Sequence, residues 1–235
     1  MAEIVKRSNH LRIDIKKAYL KLFIASVSII AAILLVEQTY YISTLLVGLM
    51  IVWIMFVLNN IEILRFGLQG EKEAFDLLSK LPRQYKILSD VHLVDGTKSS
   101  QIDFVIIGSN GVFIMESKHI KGIISGKEED NYLQKIKIGK GGDKYYKKMF
   151  NPIKQISGHK IGMDVFLKKK GFRYKAIPVL YFSNDCTVNV QSKNVKIIND
   201  PVLVIDYIKR HVEENVYLPE DVQSAIASEL KALDD

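Results

Sequence analysis

The sequence predicts an α/β protein, a mixed β-sheet flanked by helices, preceded by a transmembrane α-helical hairpin. Three observations carry this. Residues 18–36 and 40–58 are apolar runs, each matching the roughly 20 residues that a bilayer core demands. Beyond them, helical and strand patterns follow in the order helix, three strands, helix, strand, which defines an α/β sandwich around a mixed sheet. Its middle, residues 101–119, reads as a hairpin apolar on both faces, the buried centre of a covered sheet.

The chain divides accordingly. Residues 1–17 are a basic N-terminus, 18–58 the membrane hairpin with spans 18–36 and 40–58, and 59–66 a linker. Residues 67–199 form the main domain, and 200–235 are acidic C-terminal helices packed on it or following it. Lys6, Arg7, Arg12, Lys16, Lys17 and Lys21 precede or open the first span, against Glu3 and Asp14 alone. The connector Glu37-Gln38-Thr39 carries no positive charge. The positive-inside rule therefore places both termini and the soluble domain in the cytoplasm of an integral protein of the cell membrane. A single Cys186 fits a reducing compartment and excludes a disulfide framework or a cysteine-based zinc site.

The soluble elements follow in order. Gly67-Leu68-Gln69-Gly70 opens a helix over 71–81, with Ala74, Phe75, Leu77, Leu78 and Leu81 as its apolar face and Pro82 as its stop. A strand is predicted over 85–94 and a loop over 95–100. The hairpin strands 102–107 and 112–117 flank Gly108-Ser109-Asn110-Gly111. Residues 122–126 suggest a short strand or turn, and 131–149 read as irregular and basic. Asn151-Pro152 caps and starts a helix to about residue 170. Strands over 176–182 and 195–198 and helices over 201–211 and 219–233 complete the chain.

The hairpin also carries charge. A turn centred on Ser109-Asn110 sets Asp103 opposite Glu116, and one centred on Asn110-Gly111 sets Asp103 opposite Lys118. Alternation puts Asp103, Glu116 and Lys118 on one face in either register. Carboxylates and a lysine at the end of a buried sheet are costly to desolvate unless their charge is used. Mg²⁺ suits such a set, since it takes one or two protein carboxylates and keeps several waters. Acid-x-Lys is commonplace by itself, and the apolar strand before it with the aligned Asp103 is what makes it a candidate site.

Four stretches in order resemble the nuclease-related domain (NERD) family. They are Gly67-x-x-Gly70-Glu71, Gln101-Ile102-Asp103, Gly111 to Lys118, and Asn151-Pro152-x-x-Gln155 with His159 beyond. That family is similar to the PD-(D/E)XK, restriction-endonuclease-like nucleases. The resemblance spans about residues 67–167 and implies an αβββαβ core with a Mg²⁺-dependent phosphodiesterase site, Mn²⁺ being a possible substitute. It makes Asp103 and Glu116 metal ligands, Lys118 the catalytic lysine, Glu71 an aid to metal or water binding, and Gln155 the completing residue. Phe104 stands where the family often has histidine, Ser117 where it has threonine, and a frequent tryptophan after residues 122–126 is missing. From the residues alone, Glu73 or Asp76 could equally be the helix acid, since a helix dipole favours any acid in its first turn. Gln155 and His159 share a helix face, which for His159 reads first as polar surface, with a phosphate contact as the functional alternative.

Net charge is +7, and residues 66–199 hold an excess of about ten positive charges, a field that attracts polyanions. Lys135, Lys137, Lys140, Lys144, Lys147 and Lys148 lie among glycines with Tyr145 and Tyr146. The lysines suit a phosphate backbone and the tyrosines unpaired bases, although anionic lipid would meet the same lysines. Two functions follow. One is a membrane-anchored, metal-dependent nuclease acting on nucleic acid, DNA favoured over RNA, on the cytoplasmic side. The other is a non-catalytic, membrane-tethered module that binds nucleic acid or protein.

Overall fold

The computed structural model describes residues 1–34, 40–95, 98–138, 142–183, 186–212 and 216–233. The chain forms two compact units, Asn9–Gln69 and a second made of Met1–Ser8 with Gly70–Asp235.

The first unit is helical. It holds α1 (His10–Leu34) and most of α2 (Tyr40–Leu78). Ala18, Val57 and Ile61 are buried together, while Leu20, Phe23, Leu49, Val52 and Phe56 point outward. Among the described residues one helix is long and apolar enough to cross a membrane, Thr44–Leu78, whose most apolar window has a mean hydropathy of 2.2. The first predicted span follows α1 as far as Leu34; its end and the connector Glu37-Gln38-Thr39 lie outside the described residues.

Two expectations change here. The linker expected over 59–66 is helical and continues the second apolar segment, and no new helix opens at Gly67; α2 runs unbroken to Leu78. No proline interrupts it before Pro82, and the residues around Gly67 and Gly70 are good helix formers, so these two of its three glycines are tolerated. Glu71 is therefore not in a first helical turn, and the dipole argument for its presence lapses.

The second unit is an α/β sandwich. Its main sheet contains β1 (Glu3–Lys6), β2 (Lys86–Asp95), β3 (Lys98–Gly108), β4 (Gly111–His119), β8 (Ala176–Ser183) and β10 (Lys196–Ile198), side by side in that order. The β2–β3 and β3–β4 pairs are antiparallel, whereas β4–β8, β8–β10 and β1–β2 are parallel, so the sheet is mixed. Helices cover both faces. Val105, Ile107, Val112 and Ile114 pack under α3 (Pro152–Lys169) and α5 (Glu220–Lys231). Phe104, Ile106, Phe113 and Met115 pack against the end of α2 and α4 (Pro201–Arg210). This alternation makes the hairpin apolar on both sides.

The hairpin closes with Gly108 opposite Gly111 and Phe104 opposite Met115, which selects the turn centred on Ser109-Asn110. Asp103 and Glu116 lie just beyond the last of these pairs, where the Ser117 N–H reaches Asp103 Oδ2 at 2.9 Å. The loop expected over 95–100 is shorter, because β3 already starts at Lys98.

A second correction concerns residues 131–149, which are not irregular. They fold as β6 (Tyr132–Ile138) and β7 (Lys144–Phe150), antiparallel to each other. With β5 (Gly122–Ser125) and β9 (Cys186–Asn189) they make a four-stranded sheet in the order β7-β6-β5-β9. The chain thus has an α-β-β-β-α-β core, with three strands of a small sheet inserted between β4 and α3 and the fourth, β9, following β8. The edge strand β1 was not foreseen either. Its Glu3 binds Lys86 at 2.5 Å, and the Arg7 guanidinium lies 4.6 Å from the centre of the Phe75 ring.

Candidate functional site

β3, β4 and α3 position the site. Asp103 and Glu116 stand on neighbouring strands and, like Lys118, on the face that α3 covers. The α3 N-cap sets the helix there: the buried Asn151 side chain accepts a hydrogen bond from Ile153 N at 3.0 Å and donates to the carbonyls of Lys127, Glu128 and Asp130. One turn later Gln155 reaches the sheet.

Gln155 grips both charged partners. Its Nε2 donates to Glu116 Oε1 at 2.6 Å, and its Oε1 accepts from Lys118 Nζ at 3.1 Å. Lys118 Nζ also donates to Glu116 Oε1 at 2.5 Å. Glu116 is only 2% exposed. Asp103 Oδ2 accepts the Ser117 backbone N–H at 2.9 Å. The sequence-predicted Asp103, Glu116, Lys118 and Gln155 therefore come together at one end of the central hairpin.

The two carboxyls are shifted in opposite directions. Burial, reinforced by the negative Glu116, pushes the Asp103 carboxyl up to about 7. Burial works to raise Glu116 as well, but His159 and the Lys118 ammonium outweigh it and hold that carboxyl below its ordinary value. Glu71 lies close enough for its negative charge to raise Asp103 further. Glu73 instead faces His119, 3.5 Å from Nδ1. Of the acids left open by the sequence, Glu71 is thus the one whose field is felt at Asp103.

Sequence reasoning undervalued His159. It is no polar surface residue: Nδ1 hydrogen-bonds Ser100 Oγ, and Nε2 stands 3.5 Å from Glu116 Oε2, an ionic contact when the ring is protonated. Among the described residues, neither Glu116 Oε2 nor His159 Nε2, both buried, has a hydrogen-bond partner. The helical spacing from Gln155 was the available signal. Asp90 was missed outright. It interrupts the β2–β3 ladder level with Asp103, at φ 59°, a region that aspartate tolerates better than most residues. Its carboxylate is held by Gln101 Nε2 at 2.6 Å and Ser8 Oγ at 2.9 Å.

Among the described residues no group of three or more His, Cys, Asp or Glu side chains is arranged to hold a metal ion. The donor set is the carboxylate pair. It fits a hard cation: both groups offer oxygen, Glu116 Oε2 is buried and accepts no hydrogen bond among the described residues, and a cation would offset the Glu116 repulsion that adds to burial in raising Asp103. Mg²⁺ needs no more than this from the protein.

The basic run lies on the inserted sheet. Lys135 and Lys137 are on β6, and Lys144, Lys147 and Lys148 on β7, with Lys135 directly opposite Lys147. Lys140 lies outside the described residues.

A profile of the nuclease-related domain family, NERD, matches residues 66–183, half of the chain. That span contains the end of α2, the strands and helix β2, β3, β4, α3 and β8, and every candidate site residue. The chain belongs to the NERD family. An uncharacterized protein of Bacillus anthracis is 38% identical over 65 residues, which cover 27% of this chain and 31% of that relative. The chain therefore spans about a third of the length of that relative. No solved structure matches the chain significantly.

Proposed function

We propose that this chain is a membrane-anchored nuclease that hydrolyses phosphodiester bonds of nucleic acid on the cytoplasmic side, with a restriction-endonuclease-like site of the PD-(D/E)XK kind. The observation that carries this reading is the convergence of Asp103, Glu116, Lys118 and Gln155 at the end of paired strands. The likeness to restriction endonucleases favours DNA over RNA.

Asp103 and Glu116 would hold the ion, Mg²⁺ or Mn²⁺, with Glu71 adding negative field beside them. When bound, such an ion supplies Lewis-acid stabilisation of the charge that builds on a phosphoryl group. Lys118 places an ammonium beside Glu116, where it can turn to a phosphate oxygen and stabilise charge in the transition state. Gln155 fixes the positions of Glu116 and Lys118, and Ser100 fixes the His159 ring. The lysines of β6 and β7 hold phosphates away from the cut.

Membrane anchoring is supported by Thr44–Leu78 and by the apolar side chains facing outward on α1 and α2. With α1 as the first span they make the two-helix anchor, and the basic residues before α1 favour a cytoplasmic domain. The alternative, a non-catalytic tether, draws on the same basic sheet, which can hold nucleic acid without chemistry.

The test uses the full chain in detergent with plasmid, linear duplex, single-stranded DNA and RNA, each in Mg²⁺, Mn²⁺ or chelator. Cleavage that requires metal supports the nuclease. Salt-sensitive retention of intact substrate under every condition supports the tether instead.

A further inference from the structure

The geometry points to unpaired, single-stranded nucleic acid, lying along α3, as the substrate class. The reaction rests on the nuclease reading above; the binding stands by itself. Three observations place such a strand.

The first is the outer face of the β6–β7 hairpin. Strand alternation gathers Tyr132, Tyr146 and Phe150 there, interleaved with Lys144 and Lys148. The three rings are 57%, 65% and 55% exposed, and Tyr132 meets Phe150 edge to face at 6.2 Å. Exposed rings between lysines match what single strands require, stacking surface for bases and positive charge for phosphates. On the other face Lys135 opposes Lys147 with Lys137 next along, and like charges directly opposed destabilise a sheet unless an anion offsets them. Burial and these two neighbours lower the Lys135 pKa accordingly.

The second is where this hairpin is spliced in. β5, β6 and β7 all lie between Lys118 and Gln155, and those two residues touch at 3.1 Å. Both ends of the insertion thus return to the candidate active site.

The third is a cleft of about 530 Å³ that adjoins that site, sharing Ser100, Gln155 and His159 with it. Leu93, Val94 and Phe166 give it apolar walls. Gly158 and Gly162, one turn apart on α3, leave it open, and a Cβ on Gly158 would meet nothing within 4 Å. Such a volume is of the size that encloses small ligands, and a nucleobase enters only when it has left its stack. From Asn151 through the site to Phe166 the track along α3 is about 22 Å. A duplex hides its base faces and would leave rings and cleft idle. A flat anionic membrane would meet the lysines but not the concave cleft.

The experiment measures binding of the detergent-solubilised full chain in chelator, so that cutting does not enter. The probes are a fluorescent single-stranded DNA, the matching RNA, the DNA duplex, and vesicles of phosphatidylglycerol with phosphatidylcholine. Single strands are expected to bind at least about tenfold tighter than the duplex. Tyr146→Ala and Phe150→Ala are each expected to weaken single-strand binding about tenfold while leaving duplex binding unchanged. Gly158→Leu fills the cleft with a better helix former and is expected to fold and to weaken single-strand binding. Equal affinity for strand and duplex, insensitivity to all three variants, or binding to vesicles alone would overturn the inference. Cleavage in Mg²⁺ is scored separately. Selective binding without cleavage overturns only the nuclease reading, and duplex cleavage without strand preference overturns only this one.

Discussion

Lys118 and Gln155 flank the three inserted strands β5, β6 and β7 in sequence, yet their side chains meet at 3.1 Å and share Glu116 Oε1 between them. Gln155 acts as a positioning residue: it makes no charge of its own and fixes two that matter. Gln155→Ala is expected to lower cleavage by about tenfold to a hundredfold, in line with the cost of a misplaced reacting group. Gln155→Glu should restore the contact to Lys118 but repel Glu116, and so should not rescue. Single-turnover cleavage at saturating Mg²⁺ checks both.

Asp103 links stability to pH. Its carboxyl is raised to about 7 in the folded chain from 3.8, so the folded state retains a proton that the unfolded state releases. The stability this contributes is fully present below about pH 4 and is lost as pH rises through about 7, up to about 4 kcal/mol in all. Glu116 has the opposite sign, but its depressed carboxyl acts below its ordinary value and leaves that window free. Thermal unfolding in chelator should therefore show stability falling across this range. Asp103→Asn should flatten the slope, and added Mg²⁺ should reverse it at neutral pH.

How much of this was legible in the sequence depends on range. The hairpin could be read because the faces of its two strands alternate on either side of the turn, which put Asp103, Glu116 and Lys118 on one face but left the register open between two turns. Gln155 needed the family resemblance, since 37 residues separate it from Lys118. The β6–β7 hairpin was hidden because lysines and glycines mask its alternation. β1 was hidden because four residues ahead of an apolar run give no pattern of their own. The partners of His159, Ser100 and Glu116, lie on β3 and β4, far from it in sequence, and no local spacing reports that.

Gly70 and Gly158 are both inside helices, and their substitutions are expected to differ in sign. A Cβ on Gly70 would come within 2.2 Å of His119 Cβ, while one on Gly158 meets nothing within 4 Å. Gly70→Ala should destabilise by about 1–3 kcal/mol through overpacking. Gly158→Ala should stabilise by up to about 1 kcal/mol through helix propensity. Paired denaturation curves of the two variants decide this.

Asn151 is buried and makes four hydrogen bonds from its side chain, one capping α3 and three to the loop before it. Asn151→Ala should cost about 2–3 kcal/mol, the cap together with carbonyls left without partners. Asn151→Asp should recover the cap but not the loop contacts. Thermal unfolding of both variants separates the two contributions.

The central claim is that Lys118 acts on a phosphodiester beside a metal held by Asp103 and Glu116. Its most direct test compares wild type with Lys118→Ala in one experiment, with Mn²⁺ binding followed by titration calorimetry and cleavage of the best substrate followed by single turnover. The expected result is metal binding retained in the variant and cleavage lowered by at least about a hundredfold. Cleavage that survives Lys118→Ala undiminished, with the metal still bound, would contradict the account.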